Sequence, residues 1–287
     1  MADEPVWNGQ GFDPWLPFRL RALAVFSESE RKIYTDFYAR LSEWLSLVID
    51  AIFGATPKGV PPVHIDPYSV YATVPAWNKS MREFADTTIR EVLNEPYEEL
   101  IDDDTFEFDT RPFVLSYLDE VDNRMKDTPD EVFDLIATEV ARGAEEGDSI
   151  PEIAESIDEL LSVTDTPRWK NRAVVVARTE TIGALNAGRN DAFGVVAEEL
   201  SLDGLGSGFD KVWIATHDDR TRPTHQAAHG QRVPLSGRFQ VGLASLSQPG
   251  DESGPANETI QCRCTTIMVE SDEDLGLTER SFSNEDA

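Results

Sequence analysis

Apolar residues along this chain recur mostly at helical spacing. Ile33, Phe37, Leu41, Trp44, Leu45, Val48 and Ile52 stand three or four apart, which predicts a helix over 28–53. Ser27 and Glu30 precede that run at the spacing of a capping box, and Gly54 and Pro57 read as its stop. Five prolines from Pro57 to Pro75 predict a loop, where His64 reads as a surface or packing residue. Met81, Phe84, Ala85, Ile89, Val92 and Leu93 predict a second helix over 79–95, ended or kinked by Pro96. A third helix is expected over 112–126.

Two shorter helices are expected within 130–162. Val132, Leu135, Ile136 and Val140 mark the first, and Ile153, Ile157, Leu160 and Leu161 mark the second. Ser149 with Glu152 forms a capping box that starts the second, with Pro151 in its first turn. Thr166-Pro167 opens a long helix through about Glu199, roughly 45 Å at about 1.5 Å per residue. Its glycines, Gly183, Gly188 and Gly194, weaken it locally. After a glycine-rich loop, the pattern changes to short runs. Strands are expected over 209–216 and 259–270, with a short helix at 224–228 and a small hairpin at 233–241 between them.

The pattern therefore predicts a mainly α chain with a small C-terminal α+β domain. It has a helical N-terminal half, a long central helix and a short antiparallel sheet. The expected divisions are an aromatic arm at 1–27, a helical domain at 28–128, and a helical hairpin with the long helix at 129–204. A small α+β domain follows at 205–270, then an acidic tail at 271–287 that lacks apolar periodicity and reads as disordered. The arm carries Trp7, Phe12, Trp15 and Phe18 without periodicity, too much aromatic surface to leave in water. Trp7, Trp15 and Phe18 either fold back or contact a partner.

Charge changes the picture. The 287 residues include 25 basic and 54 acidic, a net of −29. Only six of the basic residues are lysine, so nineteen are arginine. An acidic surface poor in lysine reads as adaptation to molar salt, where a Debye length of about 3 Å mutes self-repulsion. No apolar run is long enough to cross a membrane, and no secretory signal is expected from MADEPVWNGQ. Two cysteines two residues apart do not make a disulfide framework.

Candidate chemistry gathers between Trp213 and Met268. On a strand, Cys262 and Cys264 would share one face, about 6.6 Å apart at Cα. Two readings stay open: a pair of small buried residues in the domain core, or half of a structural zinc site completed by His225 and His229. Zinc is the cofactor candidate here, and the acidic run IDDDTFEFD, a calcium candidate by its charge, lacks EF-hand spacing. In the DDRTRPTH segment, an acid–base pair of His225 and Asp219 is one reading. A turn held by carboxylate–guanidinium pairs is the other, and the absence of a nucleophile elbow or P-loop favours it. Local basic clusters at 168–189 and 210–238 could contact DNA or an acidic protein surface, or be paired internally.

These residues also carry a resemblance. Ala177-Arg178-Thr179-Glu180-Thr181 with Asn186 and Arg189, Asp218 to His225, His229-Gly230 with Val233, Gln248-Pro249-Gly250 and Cys262-Arg263-Cys264 occur in order. The pattern resembles the phage Mu protein F-like minor head proteins, which include the SPP1 head-morphogenesis family, over about 130–270. The motif residues carried over are Arg178, Glu180, Asp219, Arg220, Arg222 and Arg263. The resemblance implies a non-enzymatic, low-copy protein of a tailed-virus head, in the head interior or at the portal vertex after assembly in the host cytoplasm. It implies the portal or another head protein as partner, with packaged DNA as a further one and no membrane. Joined to the charge, it implies a virus of a halophilic archaeon. Two alternatives remain: a hydrolase or toxin-like enzyme, since similar regions are fused to toxins, and an internal DNA-binding head protein.

Overall fold

A computed structural model describes residues 16–54, 62–101, 106–162, 167–202, 208–216 and 218–272. Helix α1 runs over Leu16–Phe53, α2 over Val74–Phe84, α3 over Arg90–Leu100, α4 over Pro112–Arg124, α5 over Thr128–Glu146, α6 over Ile150–Leu161 and α7 over Pro167–Leu202. Strand β1 (Phe209–Ile214), α8 (Pro223–Ala228), β2 (Arg232–Pro234), β3 (Phe239–Val241), β4 (Ala244–Leu246), α9 (Ala256–Thr259) and β5 (Thr265–Glu270) complete the order. The expected class, mainly α with a small C-terminal α+β part, is the observed one.

Two compact units form. One comprises Glu30–Glu91 and Glu107–Ala177; the other takes the described residues of Met1–Ser29, Val92–Phe106 and Arg178–Ala287. The divisions expected at 128/129 and 204/205 do not coincide with these units. Glycine and proline signals mark where a chain turns, whereas α1, α3 and α7 run through the unit boundaries without a break in helix.

In the first unit, the stripe read from sequence is the core. Ile33, Phe37, Leu41, Trp44, Leu45, Val48 and Ile52 are all buried, as are Trp77, Met81 and Phe84. The Trp44 and Trp77 rings lie 4.8 Å apart, and Phe37 meets Phe84 edge-on at 5.8 Å. Each indole N–H needs a partner once buried. Trp77 donates to the Met125 carbonyl at 2.7 Å and Trp44 to the Thr73 hydroxyl at 3.0 Å. A π-helical turn over Ala85–Ile89 joins α2 to α3. Pro96 neither ends nor starts a helix but lies buried inside α3. Ser149 and Glu152 form the expected capping box of α6.

Four expectations are corrected. Helix α1 begins at Leu16, so Ser27 and Glu30 are interior and not a cap. The reason lies in Ser29, which is buried: its hydroxyl bonds to the Val25 carbonyl one turn back and to the Glu95 carboxylate at 2.9 Å. Phe18, assigned to an irregular arm, falls in the first turn of α1, while Trp7 and Trp15 lie outside the described residues. The hairpin is not at 233–241: β3 pairs with β4 through Val241↔Ala244, and β2 pairs with β1. The last strand starts at Thr265, not Thr259, which leaves both cysteines in the turn before it. The tail expected to be disordered lies, from 273 on, outside the described residues.

In the second unit, β1 is the central strand of an antiparallel sheet ordered β2-β1-β5. Its register with β5 runs from Phe209↔Glu270 to Ile214↔Thr265. Val212, Ile214 and Val269 form a small core on it. Tyr97 of α3 donates to Asp191 of α7 at 2.5 Å, and Arg21 of α1 pairs with Glu99 at 2.6 Å. A Cβ at Gly188 of α7 would run into the Leu93 carbonyl, so only glycine lets α3 approach there.

Candidate functional site

Every residue of α7 from Glu180 to Gly188 is buried. A helix covered on all sides needs small residues where backbone approaches, and Gly183, Ala184, Ala187 and Gly188 supply them. Gly250, in the left-handed region at φ 77°, packs its backbone on Gly183. This stretch contains Glu180 and Thr181 of the motif together with Asn186, and α7 carries the C-terminal turn. Asn186 is fully buried; its amide donates to the Ile182 and Cys264 carbonyls, both at 3.0 Å, and its carbonyl oxygen accepts from the Thr265 hydroxyl at 3.0 Å. Arg189 donates to the same hydroxyl at 2.5 Å. Gln261, with φ 56°, donates its backbone N–H to Thr179 at 3.2 Å and accepts from Arg178 at 3.4 Å. Glu180 is buried in the same helical section.

Asp218 closes the turn after β1. Its carboxylate accepts the Arg220 N–H at 3.0 Å and a bidentate pair from Arg263 at 2.5 and 2.7 Å. The Arg263 guanidinium beside it holds its carboxyl down at about 2. Arg222 donates to the Ile260 carbonyl at 2.5 Å, and Arg220 stands 3.8 Å from Asp218. The expected carboxylate–guanidinium turn is present, but Asp218 takes the place assigned to Asp219, which is exposed. Nothing in an Asp-Asp pair distinguishes the two by sequence.

A pH dependence follows. Asp218 is depressed from an ordinary 3.8 to about 2, so its contribution is present above about pH 4 and is lost as pH falls toward 2. That difference corresponds to about 2 kcal/mol, with the side chain 30% exposed. Asp218→Asn should cost about 2 kcal/mol near pH 7 and flatten the acid limb of stability in denaturant titrations. An unchanged acid limb would show that the pair does not hold the turn.

The zinc expectation named His225, His229, Cys262 and Cys264. The structure brings three of them together: the ligating atoms of His225, Cys262 and Cys264 lie within 4.8 Å of one another, all buried. His225 Nδ1 is 3.4 Å from Cys264 Sγ and 3.6 Å from Cys262 Sγ. His229 stands apart; its Nδ1 accepts the Ala215 N–H at 3.2 Å, which fixes the end of β1. Glu258 was missed. Its Oε2 is 3.2 Å from His225 Nε2, short of full hydrogen-bond alignment, and accepts from Thr224 at 2.8 Å. Burial pushes both thiols up. For Cys262, hydrogen bonds from Cys264 and His225 outweigh burial and hold it well below the usual range; its charge then keeps Cys264 raised. The structure does not pair His225 with Asp219.

The basic clusters are largely spent inside the protein. Lys211 is buried, donates to Asn190 at 2.7 Å, and is pushed down to about 8 by burial. Arg232 pairs with Asp210 at 2.8 Å, Arg238 with Asp251 at 3.0 Å, and Arg172 with Glu131 at 2.6 Å.

A buried helix segment tied to a cysteine-bearing turn by Asn186, with the Asp218–Arg263 pair tying that turn to the one after β1, defines a structural module whose motif residues make internal contacts. Residues 134–267, just under half of the chain, match the family described as Phage Mu protein F like protein. It is 34% identical over 140 residues to a protein of Enterococcus faecalis (strain ATCC 700802 / V583) named NAD(+)--arginine ADP-ribosyltransferase EFV, covering 49% of this chain and 26% of that protein. It is 23% identical over 139 residues to Minor head protein GP7 of Bacillus phage SPP1, covering 48% of this chain and 41% of the relative. The chain thus spans less than half the length of either relative. No solved structure matches.

Proposed function

We propose that this chain is a minor head protein of a tailed virus that works by binding other head components during assembly, DNA packaging or delivery. The observation that carries this reading is the family match at 134–267, a region whose Asn186, Asp218 and Arg263 build a scaffold. Arg263, Asn186 and Asp218 hold backbone together, a role suited to presenting a surface. The named minor head protein among the relatives supports the same reading. The transferase named in the other comparison matches over a quarter of its length, and its activity is not carried to this chain.

Within this reading, the portal vertex is the expected location and a portal or head protein the expected partner. Internal pairing of Arg172, Arg232, Arg238 and Arg263 leaves fewer cations for phosphate, which favours protein partners over packaged DNA. No helix among the described residues is long and apolar enough to cross a membrane. The net charge of −29 supports a salt-adapted host, and hence an archaeal virus. Trp7, Trp15 and Phe18 are the proposed anchors, since aromatic side chains dominate interface energy and apolar contact survives high salt. Removing residues 1–15 should leave the helical circular dichroism nearly unchanged and abolish incorporation into heads. Incorporation at the full-length level would place the docking surface elsewhere.

A further inference from the structure

We propose that Cys262, Cys264 and Nδ1 of His225 form a buried site for Zn2+, with Glu258 as the carboxylate that orients the histidine. The geometry is that of a ligand set. In a tetrahedral site with Zn–S of about 2.3 Å and Zn–N of about 2.0 Å, adjacent sulfur and nitrogen atoms stand about 3.5 Å apart. The two distances found, 3.4 and 3.6 Å, bracket that edge. Imidazole and thiolate are the donors that favour zinc over calcium or magnesium.

The surroundings fit as well. A zinc-bound histidine donates its remaining ring N–H to a carboxylate, which fixes the tautomer and strengthens the ligand. Glu258 stands 3.2 Å from Nε2, on the side of the ring away from the sulfurs. Glu258 is itself held by Thr224 at 2.8 Å and Asn257 at 3.1 Å. The Cys264 N–H approaches Cys262 Sγ at 3.4 Å, so a backbone donor already faces one sulfur. His225, Cys262 and Cys264 are each no more than 2% exposed. No further His, Cys, Asp or Glu among the described residues joins the three. Metal binding requires both sulfurs as thiolates, so any thiol proton still held would be released to solvent.

Such a site ties α8 to the turn before β5 and closes a long loop, so its binding energy would appear as folding energy. The inference rests on this geometry alone and stands whether or not the head-protein reading does. The test is Co2+ titration of the reduced, metal-stripped full chain, read by thiolate-to-cobalt charge-transfer absorption, with zinc content measured on the protein as purified. The expected result is about one metal per chain, with the band lost in Cys262→Ser and Cys264→Ser. Glu258→Gln should keep the fold and weaken affinity by roughly 10–100-fold. His229→Ala should bind as the parent does. If the cysteine variants fail to fold, the parent, Glu258→Gln and His229→Ala decide the matter alone. No charge-transfer band in the folded parent, or loss of metal in His229→Ala with Glu258→Gln unaffected, would overturn the assignment.

Discussion

Asn186→Leu should unfold the C-terminal sheet under conditions where the parent is stable. The side chain is fully buried and serves three partners: the Ile182 and Cys264 carbonyls and the Thr265 hydroxyl. Leucine fills a similar volume, so loss of packing is a small part of the effect. The cost comes from the groups left behind. A buried carbonyl or hydroxyl without a partner costs about 1–3 kcal/mol each, and here at least the Cys264 carbonyl and the Thr265 hydroxyl lose theirs. Thr265 also receives Arg189, which burial already penalises, so the disturbance reaches a cation. A total of about 3–5 kcal/mol is expected, a large share of the stability of an ordinary domain. Hydrogen exchange along β1 and β5 should accelerate by at least a hundredfold, the equivalent of about 2.8 kcal/mol. A loss under about 1 kcal/mol would show that α7 and the cysteine turn are held by something other than this clamp.

The second large effect is a loss of structure at low salt. With 54 acidic and 25 basic residues, even complete one-to-one pairing leaves 54 − 25 = 29 carboxylates without a counterpart. Several cations serve more than one carboxylate: Arg142 faces Glu139, Glu146 and Asp148, and Arg90 faces Asp86 and Asp109. The remaining repulsion is spread over helices. At about 1 M salt it is screened within about 3 Å, and at 0.01 M it reaches about 30 Å. Helical circular dichroism should therefore fall steeply on dialysis below roughly 0.2 M salt and return on restoring about 2 M. A spectrum unchanged by dialysis would remove both the salt-adapted surface and the reasoning toward an archaeal host.

How much of this was legible in the chain depended on whether a feature was local. The Ser149–Glu152 box is a contact between neighbours, and it was readable. Ser27 and Glu30 carry the same letters, yet α1 runs through them because Ser29 is engaged by Glu95, 66 residues away. The stripe from Ile33 to Ile52 faces one core and shows its period. The stretch Glu180–Gly188 is covered on all sides, so it has no period to find, and its glycines look like weaknesses when they are contacts. Alternation in the sequence puts the cysteines on a strand. Gln261 at positive φ and the reach of Arg263 to Asp218 make that segment a turn instead. His229 was grouped with His225 by spacing, whereas the partner of His225 is Glu258, 33 positions on, which no local pattern marks.

The central claim is that this chain is a head protein acting through protein contacts. Cross-linking with quantitative mass spectrometry on purified DNA-filled heads tests it most directly. The account predicts the chain in those heads at low copy number, with cross-links from its first residues to portal or head subunits. Heads that lack the chain, while it remains abundant in the unassembled fraction of the same lysate, would contradict it.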